Sequence, residues 1–371
     1  MSDYASDGSR NGKKEALMNR LLSIKSKLED NGVDGMLVSK RENFMYLSGF
    51  TGSFSYLVIT ANHSILITDG RYNEQAAQQA PFFEIVKYTK GINAELNEII
   101  KKCGIRKLGF ESLHLSYDKF LDLKEKLEVE ELKPLKNVVE SLRVVKDEEE
   151  INLIRTAVRI ADEAFSHVLP YIKPGVSELE VAAGLEYFVK KRGGEGASFK
   201  TIVASGKRSS MAHGVASEKL IEDGDPVVLD FGAVYRGYCS DMTRTVFVGR
   251  KPCAKMEEIY NTVLTAQVEA LKRARRGMTG KEIDSIAREI IKGAGYGDNF
   301  GHGLGHGVGL EIHEDPSVAS SETAIEKGMV VTIEPGIYIE GFGGVRIEDM
   351  IVMGDDEPIV LTASPKDMII L

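Results

Sequence analysis

From about residue 13 to residue 135 the apolar positions change their period every few residues, and each change marks a new element. Leu17 to Leu28 predicts a helix and Gly35-Met-Leu-Val-Ser a short strand. Tyr56-Leu-Val-Ile-Thr and Ser64-Ile-Leu-Ile-Thr-Asp69, joined by Ala61-Asn-His, read as a hairpin. Asp69-Gly-Arg-Tyr then turns into a helical Asn73 to Ala80. Further helices are expected at Ala94 to Lys102 and Tyr117 to Lys126, with strands at Glu84 to Tyr88 and Lys107 to Phe110. No chemistry clusters in this stretch. A long helix begins in Leu142-Arg-Val-Val-Lys-Asp-Glu-Glu-Glu-Ile-Asn-Leu-Ile-Arg. Its first turn holds Asp147 and three glutamates, which complement the helix dipole. The acidic run is therefore a helix start and not a binding patch. The domain boundary is placed just before it, giving a mobile tail over 1–12, an N-terminal α/β domain over 13–140 and a C-terminal domain over 141–371.

The C-terminal part repeats itself. Ile221-Glu-Asp-Gly-Asp-Pro-Val-Val-Leu-Asp230 aligns with Ile325-Glu-Lys-Gly-Met-Val-Val-Thr-Ile-Glu334, 104 residues on, and makes Asp230 and Glu334 equivalent. Each copy turns and returns through a second acid, Asp241 or Glu348, at an offset of 107. Upstream, Pro174-Gly-Val-Ser-Glu-Leu-Glu matches Arg276-Gly-Met-Thr-Gly-Lys-Glu, each opening a helix. Two helix-plus-hairpin halves related by a pseudo-twofold follow, each hairpin contributing two carboxylates.

Gly341 is equidistant in sequence from Glu334 and Glu348, so a hairpin centred there sets the two acids opposite one another on one face. Such a pair repels unless a cation lies between. Arg346, two residues before Glu348, shares that face and is expected to offset part of the charge. For Asp230 and Asp241 the midpoint falls between Tyr235 and Arg236, and an even-length loop there brings them opposite too. His302-Gly-Leu-Gly-His306-Gly-Val-Gly has glycine at alternate positions, which disfavours helix and allows close backbone approach. It does not follow a hydrophobic strand, so a dinucleotide loop is rejected. One imidazole, His306, with four carboxylates is a hard, oxygen-dominated ligand set that favours Mn²⁺, Co²⁺ or Fe²⁺ over a structural zinc. Two divalent ions balance four negative charges. His63, His114 and His167 are isolated and read as surface residues.

Composition narrows the class. The 371 residues, 43% hydrophobic and 28% charged, are those of an ordinary globular chain of two domains. A formal net charge of −9 argues against a protein that tracks a nucleic-acid backbone. Cys103, Cys239 and Cys253 are an odd, unclustered set, so no disulfide framework is expected and a reducing cytoplasm is the default. No apolar run approaches the roughly 20 residues of a membrane span, and the first residues lack an apolar signal core.

The motifs around Asp230 and Asp241, His302-Gly-Leu-Gly-His306 with His313-Glu, Ile-Glu334-Pro-Gly-Ile-Tyr and Gly-Gly-Val-Arg346-Ile-Glu348-Asp resemble the metal site of the creatinase/methionine aminopeptidase superfamily, in its Xaa-Pro peptidase branch. The resemblance implies an α/β (α+β) chain, with a creatinase-like N-terminal domain before a "pita-bread" catalytic domain. It implies Asp230, Asp241, His306, Glu334 and Glu348 as ligands of two divalent ions, Mn²⁺ foremost, with Co²⁺, Fe²⁺ or Zn²⁺ as alternatives. Glu334 becomes the general base acting on a water shared by the ions, and His213, His302 and His313 become histidines acting on the substrate. The partners implied are peptides with proline at the second position and a second copy of the chain in a homodimer. Neither nucleic acid nor membrane is expected. Prolidases, which cut only dipeptides, often carry an arginine after the His-Glu-x-Pro segment, where this chain has Ser317; Arg208 and Arg236 are possible substitutes. That departure favours an aminopeptidase removing the first residue of Xaa-Pro peptides, with the dipeptidase as the alternative and a non-catalytic binding protein as the reading from another class.

Overall fold

The expected hairpin forms with Tyr56 opposite Ile67 and Ile59 opposite Ser64, and it lies inside a six-stranded mixed sheet. The computed structural model describes residues 7–319 and 321–371. It divides into two compact units, Met1–Arg143 and Val144–Leu371. The tail expected over 1–12 lies outside the described residues through residue 6, and from Asp7 the chain is helical to Asp30.

In the first unit the sheet runs Glu84–Lys87, Ser64–Thr68, Tyr56–Thr60, Gly35–Val38, Lys107–Glu111, Glu131–Leu135. The last of these strands is absent from the sequence reading. It carries Pro134, which has no N–H to donate, and it survives because it is an edge strand needing partners on one side only. A helix at Arg41–Ser48 was also not anticipated. Leu96, Ile99 and Ile100 of the helix Ile92–Cys103 pack with Leu37, Ile65 and Leu108 of the sheet. Burial of this kind contributes about 1.5–3 kcal/mol per large apolar side chain.

The second unit repeats its elements. Helices Glu178–Lys191 and Gly280–Gly293 have the same length and are offset by 102 residues. Each is opened by a reciprocal cap, Ser177 with Glu180 and Thr279 with Glu282, satisfying backbone N–H groups that a helix start leaves bare. The bridges made by the cap residues correspond too, Ser177 to Leu220 and Thr279 to Ala324. Strand Pro226–Phe231 answers to Val330–Ile333, and Met242–Phe247 to Asp349–Met353. Every half has its own core. Phe165, Leu185 and Leu229 are buried in the first, Val263, Ile283 and Ile333 in the second. The acidic run after Lys146 is a helix start: Asp147 caps the helix Glu148–Val168 and Glu150 closes a capping box.

The halves are joined where the two inner strands meet. The Glu348 amide donates to the Thr243 carbonyl at 3.1 Å, and Thr245 exchanges hydrogen bonds with the Arg346 backbone at 2.9 and 3.2 Å. That seam brings the hairpin of Asp230 and Asp241 to the hairpin of Glu334 and Glu348. Among the described residues, no helix is long and apolar enough to cross a membrane.

Candidate metal centre

Pairs on either side of the second acid couple keep one register, Ile333 opposite Asp349 and Gly336 opposite Arg346, with Gly341 at the centre of the turn at φ 73°. Glu334 and Glu348 therefore occupy facing positions, as the glycine-centred reading expects. The first couple departs from its expected register by one residue. Val234 pairs with Cys239 and Asp230 with Thr243, so the turn is centred between Arg236 and Gly237, both at positive φ (48° and 83°). Asp241 is consequently displaced by two positions from Thr243, which keeps it on Asp230's face as a diagonal neighbour.

The histidine segment comes in as a short strand, Gly305–Gly307, beside Val330–Ile333. A Cβ on Gly305 would stand 2.0 Å from the Thr332 carbonyl oxygen, and one on Gly307 2.4 Å from that of Asp315. Only glycine lets this strand approach closely enough to deliver His306.

Ligand-capable atoms of Asp241, His306 and Glu348 lie within 4.8 Å of one another. His306 Nε2 is 3.3 Å from Glu334 Oε1 and 3.5 Å from Asp241 Oδ2. His306 Nδ1 is 3.0 Å from the Gly307 carbonyl, which fixes the neutral tautomer with the proton on Nδ1 and the lone pair on Nε2. Burial pushes the imidazole down to about 4, so it is neutral at ordinary pH. A lone pair aimed at two carboxylates is repulsive unless a cation sits between them. Burial and then the neighbouring acids hold Asp241 and Glu348 well above the usual carboxylate range, and burial raises Glu334 to about 7. Asp241 Oδ1 and Glu348 Oε1 are buried without a hydrogen-bond partner. Bare buried acceptors, raised carboxyls and a ligand-ready imidazole fit a divalent ion.

Asp230 lines the same cavity, of about 730 Å³. Its Oδ2 accepts from Arg346 at 2.5 Å, and from that position the guanidinium charge also lowers Glu334 and Glu348, offsetting part of their charge as expected. Arg346 also donates to Thr243 Oγ1, the Ala212 carbonyl and the Tyr338 hydroxyl. The Tyr338 hydroxyl donates a hydrogen bond to His302 Nε2 at 3.0 Å, because the His302 Nδ1–H donates to the Gly303 carbonyl at 2.7 Å. Burial lowers His302 to about 4. His213 and His313 line the cavity on exposed chain, and the His313 ring lies 4.3 Å from that of His306.

Sequence reasoning passed over three of these residues. Tyr338 lies four positions after Glu334 and pairs with Gly344, so a period of two along the strand marks it. Thr243 donates to Glu348 and Thr332 to Glu334, orienting one oxygen of each. Arg208 and Arg236 do not line the cavity; Arg208 instead pairs with buried Glu178.

The model of metallopeptidase family M24 matches residues 152–355, and that of the Creatinase/Prolidase N-terminal domain matches residues 20–145. A solved structure of an Xaa-Pro dipeptidase from Bacillus anthracis is 47% identical, with a TM-score of 0.94 over 96% of this chain and 100% of that one. An Xaa-Pro dipeptidase of Pyrococcus furiosus is 43% identical over 94% of this chain and 99% of its own length. The structure of an X-Pro aminopeptidase from Thermotoga maritima is 40% identical, with a TM-score of 0.87 over 92% of this chain and 98% of that one.

Proposed function

The chain belongs to metallopeptidase family M24, and we propose that it is an Xaa-Pro dipeptidase, splitting the bond before proline in two-residue peptides. The observation that carries this reading is similarity over nearly the whole length of both chains to relatives that are Xaa-Pro dipeptidases. It outweighs the leaning toward an aminopeptidase drawn from Ser317. The aminopeptidase is the second reading, favoured by that serine and by the Thermotoga maritima relative.

In this reading Asp230, Asp241, His306, Glu334 and Glu348 hold two divalent ions, Mn²⁺ foremost, and the chain works as a homodimer. Bound there, the ions supply an activated water and an electrophilic contact for the scissile carbonyl. Glu334 takes the proton of the attacking water and delivers it to the proline nitrogen as the C–N bond breaks. His213 and His313, on exposed chain lining the cavity, donate to the carbonyl oxygen as negative charge develops. Arg346 and Tyr338 fix Asp230 and His302 in place. Proline suits such a site because its nitrogen carries no N–H, so no subsite has to satisfy one.

The test is steady-state kinetics on an Xaa-Pro dipeptide and a matched Xaa-Pro tripeptide, in Mn²⁺ and in Co²⁺. The expected kcat/KM is about a hundredfold higher for the dipeptide, roughly 2.7 kcal/mol of transition-state discrimination. Equal or better cleavage of the tripeptide returns the aminopeptidase reading.

A further inference from the structure

A peptidase restricted to dipeptides must recognise a carboxylate one residue beyond the scissile carbonyl, and a neutral serine at position 317 does not supply the charge. Among the described residues, the lysine and arginine side chains that line the cavity are Lys200 and Arg346. Arg346 is engaged on all three nitrogens by Asp230, Thr243, Tyr338 and the Ala212 carbonyl. Lys200 is different: it is exposed, and among the described residues it takes part in no ion pair or side-chain hydrogen bond.

The backbone places Lys200 at a suitable distance. Ile202 lies directly opposite Asp230 in the sheet, and Lys200 precedes Ile202 by two residues, at most about 7 Å of chain. A dipeptide with its scissile bond at the acids carries its carboxylate one residue away, roughly 3.8 Å. The flexible four-carbon stem of lysine spans the remainder, and its compact ammonium acts as a point charge that does not require the planar geometry of an arginine fork. Each added residue moves the carboxylate a further 3.3–3.6 Å or so. Ser317 lines the same cavity and carries no charge.

We propose that Lys200 pairs with the C-terminal carboxylate of the substrate and sets the preference for dipeptides, in place of the arginine that Ser317 replaces. This rests on the dipeptidase reading. The experiment compares an Xaa-Pro dipeptide as free acid with its C-terminal amide in the Mn²⁺-loaded wild type, Lys200→Gln and Lys200→Arg. The wild type is expected to favour the acid at least tenfold in kcat/KM. Lys200→Gln should bring that ratio close to one, chiefly through KM for the acid, and Lys200→Arg should retain most of it. A wild-type preference that survives in Lys200→Gln overturns the role of Lys200 and leaves the dipeptidase reading standing. A wild type with no preference for the acid overturns the dipeptidase reading, and the role of Lys200 with it.

Discussion

Thr243 Oγ1 donates to Glu348 Oε2 across 2.7 Å, and the other oxygen of that carboxylate, Oε1, is buried with no partner. One oxygen is oriented by the protein and the other is left bare beside Asp241, whose Oδ1 is bare as well. Two carboxylates about 4 Å apart repel by about 4 kcal/mol at an effective dielectric of ~20.

Neutralising one partner should separate metal affinity from fold stability. Asp241→Asn and Glu348→Gln are expected to lose bound Mn²⁺ by at least tenfold in affinity, measured by calorimetry and elemental analysis. In chelator, each should melt at or above the metal-free wild type, because the repulsion is gone. Tight binding of two ions by Asp241→Asn with activity intact would remove these acids from the metal centre.

His213, His302 and His313 are expected to act on the substrate and not as ligands. Alanine at each should lower kcat by roughly 10²-fold or more, on the scale of a lost acid–base or oxyanion contact, with metal content near wild type. Metal loss equal to that of His306→Ala would make them ligands.

Tyr338→Phe removes a hydroxyl that accepts from Arg346 and donates to His302. Leaving both groups unsatisfied costs about 1–3 kcal/mol. A lowered melting temperature and a fall in kcat without a matching rise in KM are expected. An unchanged melting curve would show that water replaces the hydroxyl.

The pH dependence of the metal-free protein has a definite sign. Glu334 rises from 4.5 to about 7 on burial, so its stabilising contribution is present below 4.5 and lost as pH rises through about 7. His306 falls from 6.5 to about 4, so its contribution is present above 6.5 and lost as pH falls through about 4. Between about 7 and 8 His306 and the similarly lowered His302 are mostly neutral in both states, so the carboxyl effect dominates and the melting temperature in chelator should fall. Mn²⁺ binding near pH 6.5 should release protons, detectable by calorimetry in buffers of different ionisation enthalpy. Glu334→Gln should weaken both effects, with raised Asp241 and Glu348 carrying the remainder; a wild-type melting temperature that rises over this window would refute the assignment.

The facing of Glu334 and Glu348 was legible because Gly341 marks the turn, and the repeat was legible because the caps at Ser177 and Thr279 recur with their glutamates. The register of Asp230 was not, since it depends on Arg236 adopting a positive φ, a conformation uncommon for a residue with a Cβ. Tyr338 and Lys200 escaped for another reason. Neither has a distinctive motif chemistry, and each matters only through what the fold sets beside it.

The seam between the two halves has a thermodynamic meaning. Each half buries its own apolar core, yet each contributes only part of the acid cluster. An ion at that cluster is a crosslink between two otherwise self-sufficient packing units, and its binding energy is added to whichever would open first. Metal loading should therefore raise the cooperativity of unfolding as well as its midpoint, merging the halves into one transition, while chelation lets the weaker half report separately in amide hydrogen exchange.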